Sequence, residues 1–232
     1  MSTSQPKPLR EWYPLESSPQ VFTLLAESWG VDTEKYSFLD IFSLDHQDLE
    51  HINVPCHAVI LLFPDTPEIV AMRHREQCLD PRYTDLAWIP QVDVGHACGT
   101  FALVHALSAT NLAPALAPFY QAVRQTPPDS RTALFASSRE IYEGHHAVIT
   151  AGQTEIRESD WEECDHFISF VYGNVNGETR VIEMDGVPPR SGPLDRGPAS
   201  GSLLKDVADI VKQRYLPLAG DNIHFSMIAL IG

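Results

Sequence analysis

DHFISFVYGNVNGETRVIEMDG, Asp165 to Gly186, is the stretch on which the architecture turns. Its two halves, HFISFVY (His166–Tyr172) and TRVIEMD (Thr179–Asp185), are rich in aromatic and β-branched residues, as strands are. Between them lies GNVNGE, whose Asn-Gly pair suits the left-handed backbone of a tight hairpin turn. Folding there returns His166 and Asp185 to the same end of the hairpin, side by side although far apart in sequence.

Outward from this hairpin the chain alternates irregularly between helical and extended patterns. Ser18 as N-cap, Pro19 at the first helical position, a stripe of Val21, Phe22, Leu24, Leu25 and Trp29, and Gly30 beyond it predict a first helix. HAVILLF (His57–Phe63), bounded by Pro55 and Pro64, reads as a strand buried on both faces. From Cys98 to Ala109 apolar residues occupy every side, the mark of an interior helix. Helices are predicted over Ala115–Gln125 and Arg131–Glu143, the latter capped by Asp129 or Ser130 and stopped by Gly144. Residues 144–164 read as a long loop of the kind that often carries function. A helix near Leu203–Tyr215, with Leu203, Val207, Ile210, Val211 and Tyr215 on one side, precedes a strand in HFSMIALIG. This mixture favours an α+β fold with a central, largely antiparallel sheet flanked by helices over a doubly wound one.

The 232 residues carry no internal repeat and read as a single domain, 1–232. With 44% apolar and 20% charged residues the composition is that of a folded soluble chain. Thirty-one acidic residues against 16 basic ones give a net charge of −15, which argues against nucleic acid and leaves either simple solubility or the steering of a basic ligand. The sequence shows no leader, no membrane-length apolar run and no appended carboxyl-terminal domain, so a cytoplasmic location, extending to the nucleus, is expected. Cys56, Cys78, Cys98 and Cys164 are scattered, as reduced thiols rather than a disulfide scaffold or zinc module would be. His145, His146, Cys164 and His166 lack compact ligand spacing, so no metal and no cofactor is expected, and the loop histidines read as solvated. His105, mid-helix, reads as a hydrogen-bonded core residue.

QVDVGHACGTFALVHALSAT, Gln91 to Thr110, places a cysteine where an irregular segment becomes the interior helix. A nucleophilic cysteine needs thiolate character, which a helix amino terminus promotes, and a base within reach. Cys98 has the first, and Gly99 beside it would let a substrate approach the backbone closely. His166 is the candidate base and Asp185 the candidate orienting carboxylate, because the hairpin brings them together. A lone cysteine heading a helix is more often a packing residue, so it is the ordered series Gln91, Cys98, His166, Asp185 that carries the argument.

In these blocks, with WYPLESSP, FLDIF, VPCHAVILLFP, GQTE and FSMIALIG, the chain resembles the ubiquitin carboxyl-terminal hydrolases, a family of papain-like cysteine peptidases, over nearly its whole length. The resemblance implies the papain-like ubiquitin hydrolase fold with a knotted backbone. It implies Cys98 as nucleophile, His166 as general base and acid, Asp185 as the group orienting the histidine, and Gln91 as the amide that stabilises the oxyanion. It implies that Glu16 and Asp40 bind arginines of the ubiquitin tail. Residues 144–164 would cross above the active site and restrict substrates to small or unfolded adducts of the carboxyl-terminal glycine of ubiquitin. The partner is then ubiquitin, or a related ubiquitin-like modifier, acting on a monomer. Two departures stand out: one extra residue separates Gln91 from Cys98, with His96 where an asparagine is usual, and the hairpin from His166 to Asp185 is longer by four residues, an even lengthening that keeps both ends paired on the same face. The alternative reading is a ubiquitin-binding homologue with impaired catalysis.

Overall fold

The computed structural model describes residues 12–151, 165–222 and 224–232. In chain order the main elements are α1 (Pro19–Ser28), β1 (Ser37–Asp40), the short α2 (His46–Leu49), β2 (Cys56–Pro64), α3 (Pro67–Arg75), α4 (Cys98–Ser108), α5 (Ala117–Gln125), α6 (Arg131–Ser137) and α7 (Arg139–Ala151). The hairpin strands β3 (Asp165–Val175) and β4 (Glu178–Met184) follow, then β5 (Leu194–Pro198), α8 (Leu203–Ile210) continued by a π turn, Val211–Tyr215, and β6 (Ser226–Ile231). The strands form one sheet in the order β1-β6-β2-β3-β4-β5. Every neighbouring pair is antiparallel, so the α+β expectation holds.

Both faces of the sheet are covered, which is why its central strands read as continuous apolar runs. Side chains alternate along a strand, and β2 divides accordingly. Ala58 and Ile60 join the layer of α1 and α4, whereas Val59, Leu61 and Phe63 pack with Leu203, Val207 and Tyr215 beneath α8. The hairpin turn has the expected left-handed pair, with φ of 54° at Asn176 and 87° at Gly177, and the Asn174 side chain accepts the Gly177 N–H at 3.0 Å. Its register pairs Val175 with Glu178 and Ser169 with Met184, leaving His166 and Asp185 at the open end.

Three local expectations change. Leu24 is 47% exposed, because the buried stripe of α1 is Val21, Phe22, Leu25, Ala26 and Trp29 and Leu24 falls outside it. The helix expected over Arg131–Glu143 is two helices broken at Ser138, whose extended backbone (ψ 122°) and Oγ, accepting the Ile141 N–H at 3.4 Å, begin α7 afresh. Gly144 is not a stop: α7 continues to Ala151, so residues 144–151 of the expected loop are helical, and 152–164 lie outside the described residues.

Gly144 serves close helix packing. A Cβ there would stand 2.6 Å from Ser28 Oγ and 2.8 Å from Trp29 Nε1, which itself donates to the Glu140 carbonyl at 3.1 Å. Gly144→Ala must push α7 away from α1 or displace the buried indole. It should destabilise the protein by about 1–3 kcal/mol, read as a melting temperature lower by roughly 2–4 °C per kcal/mol. An unchanged melt would show that the contact yields freely.

Candidate active site

The site is assembled where α4, the open end of the β3–β4 hairpin and the last turn of α3 meet. Cys98 is the first residue of α4, preceded by Ala97, whose side chain offers no cap to the helix N–H groups. The helix is anchored along its length: Phe101 stacks on Phe135 at a centroid distance of 3.8 Å, and all residues from Gly99 to Ser108 are buried. A rigid helix holds the half-buried sulfur in one place. Gly99 does not open the backbone to a substrate as expected. A Cβ there would meet Leu15 at 3.1 Å and Phe167 at 3.3 Å, so the close approach is by the protein's own side chains.

His166, at the start of β3, is buried with Phe63 edge-on to its ring at 5.5 Å. Its Nε2–H donates to Asp185 Oδ1 at 2.9 Å, and the Cys98 thiol lies within hydrogen-bond reach of the imidazole. With Nε2 committed to the carboxylate, Nδ1 is the nitrogen left to exchange a proton with sulfur. Burial works against a charged imidazole, yet the charge and hydrogen bond of Asp185, reinforced by Cys98, outweigh it and raise the His166 pKa to about 9. Burial likewise opposes the Asp185 anion, but His166 and the Arg73 guanidinium hold its carboxyl well below the usual range. Asp185 is therefore an acceptor throughout, and the proton of the pair resides on the ring.

The Asp185 carboxylate has donors on both oxygens. Oδ1 accepts from His166 and, at 3.0 Å, from the Val187 N–H; Oδ2 accepts from Arg73 Nη2 at 2.8 Å, with Arg190 Nε at 3.5 Å. Its main chain is also held, the Trp88 indole donating to the Asp185 carbonyl at 2.8 Å. Gly186 follows because a Cβ would lie 2.4 Å from the Ile89 carbonyl oxygen, and this closeness lets the Gln91 N–H reach the Gly186 carbonyl at 2.7 Å.

Gln91 is thus tied by its backbone to the residue after Asp185, while its side-chain amide donates to the Gly95 carbonyl at 3.2 Å, within its own loop. Between Gln91 and Cys98 the loop turns through Asp93 (φ 56°) and Gly95 (φ 63°), both in left-handed backbone. Asp40 ends β1 opposite Ile228, and among the described residues its carboxylate has no ion-pair partner. Glu16, exposed, lies between Leu15, which packs on Gly99, and Ser17, which donates to Ser226 Oγ at 2.9 Å. Since Ser226 and Ile228 share β6, Glu16 and Asp40 border one edge region of the sheet that extends toward the head of α4.

Sequence reasoning did not find Arg73, Arg190 or the structural role of His145. His145 is buried, not solvated: its Nε2 accepts the Tyr13 N–H at 3.1 Å and its Nδ1–H donates to Thr100 Oγ1 at 2.7 Å, in the first turn of α4. His105 behaves as expected, its Nε2 accepting the Ile89 N–H at 3.0 Å. Burial lowers His105 to about 4 and His145, with a contribution from His146, to about 3. Among the described residues no group of three or more His, Cys, Asp or Glu gathers as metal ligands would.

The family model for ubiquitin carboxyl-terminal hydrolase, family 1, matches residues 12–216. The chain belongs to this family of cysteine peptidases. It is 30% identical to the ubiquitin carboxyl-terminal hydrolase of Aplysia californica over 211 residues, 88% of this chain and 94% of that one. It is 29% identical to a probable ubiquitin carboxyl-terminal hydrolase of Dictyostelium discoideum, covering 96% of this chain and 88% of the relative. Its fold resembles that of the Trichinella spiralis UCH37 catalytic domain bound to ubiquitin vinyl methyl ester, with a TM-score of 0.73 at 23% identity over 97% of each chain. The family thus places a cysteine peptidase where the geometry sets a thiol against a carboxylate-held imidazole.

The two buried neutral histidines have a consequence for stability. An unfolded histidine takes up a proton near pH 6.5, whereas His105 and His145 resist it down to about 4 and 3. Their contribution is full above about pH 6.5 and is lost as pH falls below it, because the unfolded state then binds more protons. Urea unfolding at pH 6.5 and 4.5 should give a lower free energy at the acidic pH, by on the order of a few kcal/mol. His145→Gln should flatten that slope, and an equal slope in wild type and variant would exclude His145 as its source.

Proposed function

We propose that the chain hydrolyses the bond between the carboxyl-terminal glycine of ubiquitin and small or unfolded adducts, with Cys98 as nucleophile. The observation that carries this reading is the meeting of Cys98, at the head of α4, with a His166 ring hydrogen-bonded to Asp185 at one end of the sheet. Cys98 sulfur attacks the glycine carbonyl carbon after its proton passes to His166, and a tetrahedral oxyanion forms. The imidazolium then gives its proton to the departing amine or thiol, leaving an acyl-enzyme. Water, deprotonated by the same ring, attacks the thioester and returns Cys98 to its starting state. Asp185 fixes the tautomer and stabilises the imidazolium without taking its proton, as its low pKa requires.

Two donors serve the oxyanion in this reading: the Cys98 N–H at the uncapped start of α4, and the Gln91 amide once it leaves the Gly95 carbonyl. Selection of an arginine-containing tail rests on the net charge of −15 and on Glu16 and Asp40, of which Asp40 has a carboxylate available to a cation. The preference for small or unfolded adducts follows from family resemblance. The amide's present bond to Gly95 favours, as a second reading, a ubiquitin-binding protein of weak catalysis.

Two measurements separate these. Ubiquitin carrying a carboxyl-terminal vinyl methyl ester, which only an activated thiolate attacks, should label the wild type and not Cys98→Ala; an unlabelled wild type that still binds ubiquitin would establish the second reading. On a small-adduct ubiquitin substrate, Gln91→Ala should lower kcat by roughly 10²-fold with little change in KM if the amide reaches the oxyanion. Unchanged kcat would leave oxyanion stabilisation to the helix.

A further inference from the structure

Asp185 can orient His166 only if the carboxylate is itself held, and the hairpin alone does not hold it: beyond β4 its neighbours are Gly186 and irregular chain. What grips it comes from elsewhere. Arg73, in the last turn of α3 and 3% exposed, reaches in with a guanidinium shared among three acceptors. Nη2 donates to Asp185 Oδ2 at 2.8 Å and to the Val187 carbonyl at 3.3 Å, and Nη1 donates to Asp65 Oδ1 at 3.3 Å. The Arg73 carbonyl in turn accepts Arg190 Nη1 at 3.1 Å, which holds the end of α3 in register with the same segment.

We infer that Arg73 is a positioning residue for the peptidase reaction, gripping the Asp185 carboxylate through Oδ2 so that Oδ1 alone faces His166. The inference rests on the proposed function, in which the imidazole must present Nδ1 to Cys98. Two features support a specific role over general cohesion. The planar fork spans Asp185, Val187 and Asp65 at once, which a lysine ammonium cannot reproduce. The bond to Oδ2 also divides the carboxylate cleanly, with His166 and the Val187 N–H on one oxygen and cations on the other. If Asp185 rotated about its side-chain bonds, the imidazole would lose its line to sulfur. Displacement of a catalytic group by about 1 Å can cost roughly 10²-fold in rate.

The experiment compares wild type, Arg73→Lys and Arg73→Met, each checked for folding by circular dichroism and melting temperature, with two readouts. One is kcat and KM on a small-adduct ubiquitin substrate. The other is the low-field proton NMR resonance of His166 Nε2–H in its bond to Asp185, which does not require turnover. Positioning predicts kcat lowered by about 10- to 100-fold with KM within about twofold, the lysine variant between the other two. It also predicts that the resonance moves upfield or is broadened by exchange in both variants. Arg73→Lys keeps a cation in the buried site, so it is the variant to rely on if Arg73→Met does not fold. A folded Arg73→Lys with wild-type kcat and an unmoved resonance would overturn the inference, whatever its melting temperature. A wild type without turnover whose resonance still responds to Arg73→Lys would refute the proposed function, and with it a role in the reaction, while upholding the Arg73 grip on the Asp185 carboxylate.

Discussion

The structure depends on a carboxylate kept ionised out of water. Asp185 is buried, and an isolated charge there would be protonated or expelled. It remains an anion because each oxygen has its own donor, imidazole and backbone N–H on one and the Arg73 guanidinium on the other, with the Arg190 cation 3.5 Å away. Those donors come from β3, α3 and the segment after β4, so the carboxylate links elements that share no sequence neighbourhood. A buried ion pair adds little net stability compared with apolar packing, but losing one partner is costly, so such a network favours one arrangement over all others. Catalysis by a cysteine peptidase asks for this kind of rigidity.

The charges around it extend well beyond His166 and Arg73. Glu183, two residues before Asp185 and also fully buried, is met by Arg190 at 3.4 Å, by Arg196 at 2.6 Å and by the Tyr215 hydroxyl at 2.7 Å. Tyr215 reaches it from the π turn that ends α8, so the helix on one face of the sheet and the active-site strand are locked through a single carboxylate. On the opposite face His145 performs a neutral version of this task, joining α7, the first turn of α4 and the chain near Tyr13. Cys98 is thus carried on one braced layer, and His166 belongs to the sheet that separates the two.

Much of this was legible in the chain. The Asn-Gly turn and strand composition placed His166 beside Asp185, and the unbroken apolar helix after Cys98 marked a buried, rigid mount for a thiol. These are short-range signals, in which a turn type or a helix boundary is written in adjacent residues. Errors arose where a residue answered to a distant neighbour. Gly144 has the look of a helix stop, yet it is glycine because Ser28 and Trp29 press against it; Gly99 seemed an opening for substrate, yet Leu15 and Phe167 fill that space. Ser138 interrupts a helix by capping the next, a signal weakened by the surrounding helical pattern.

From sequence alone came the mixed architecture, the antiparallel hairpin, the acidic composition and the meeting of His166 with Asp185, because periodicity, turn chemistry and composition act locally or additively. Only the tertiary structure decided which cation holds Asp185, that His145 is buried and neutral, and where the Gln91 amide rests. Each of those depends on contacts between residues tens of positions apart. Such contacts form through the packing of complete elements, and arginine or histidine in a surface-like pattern gives no local sign that folding will enclose it.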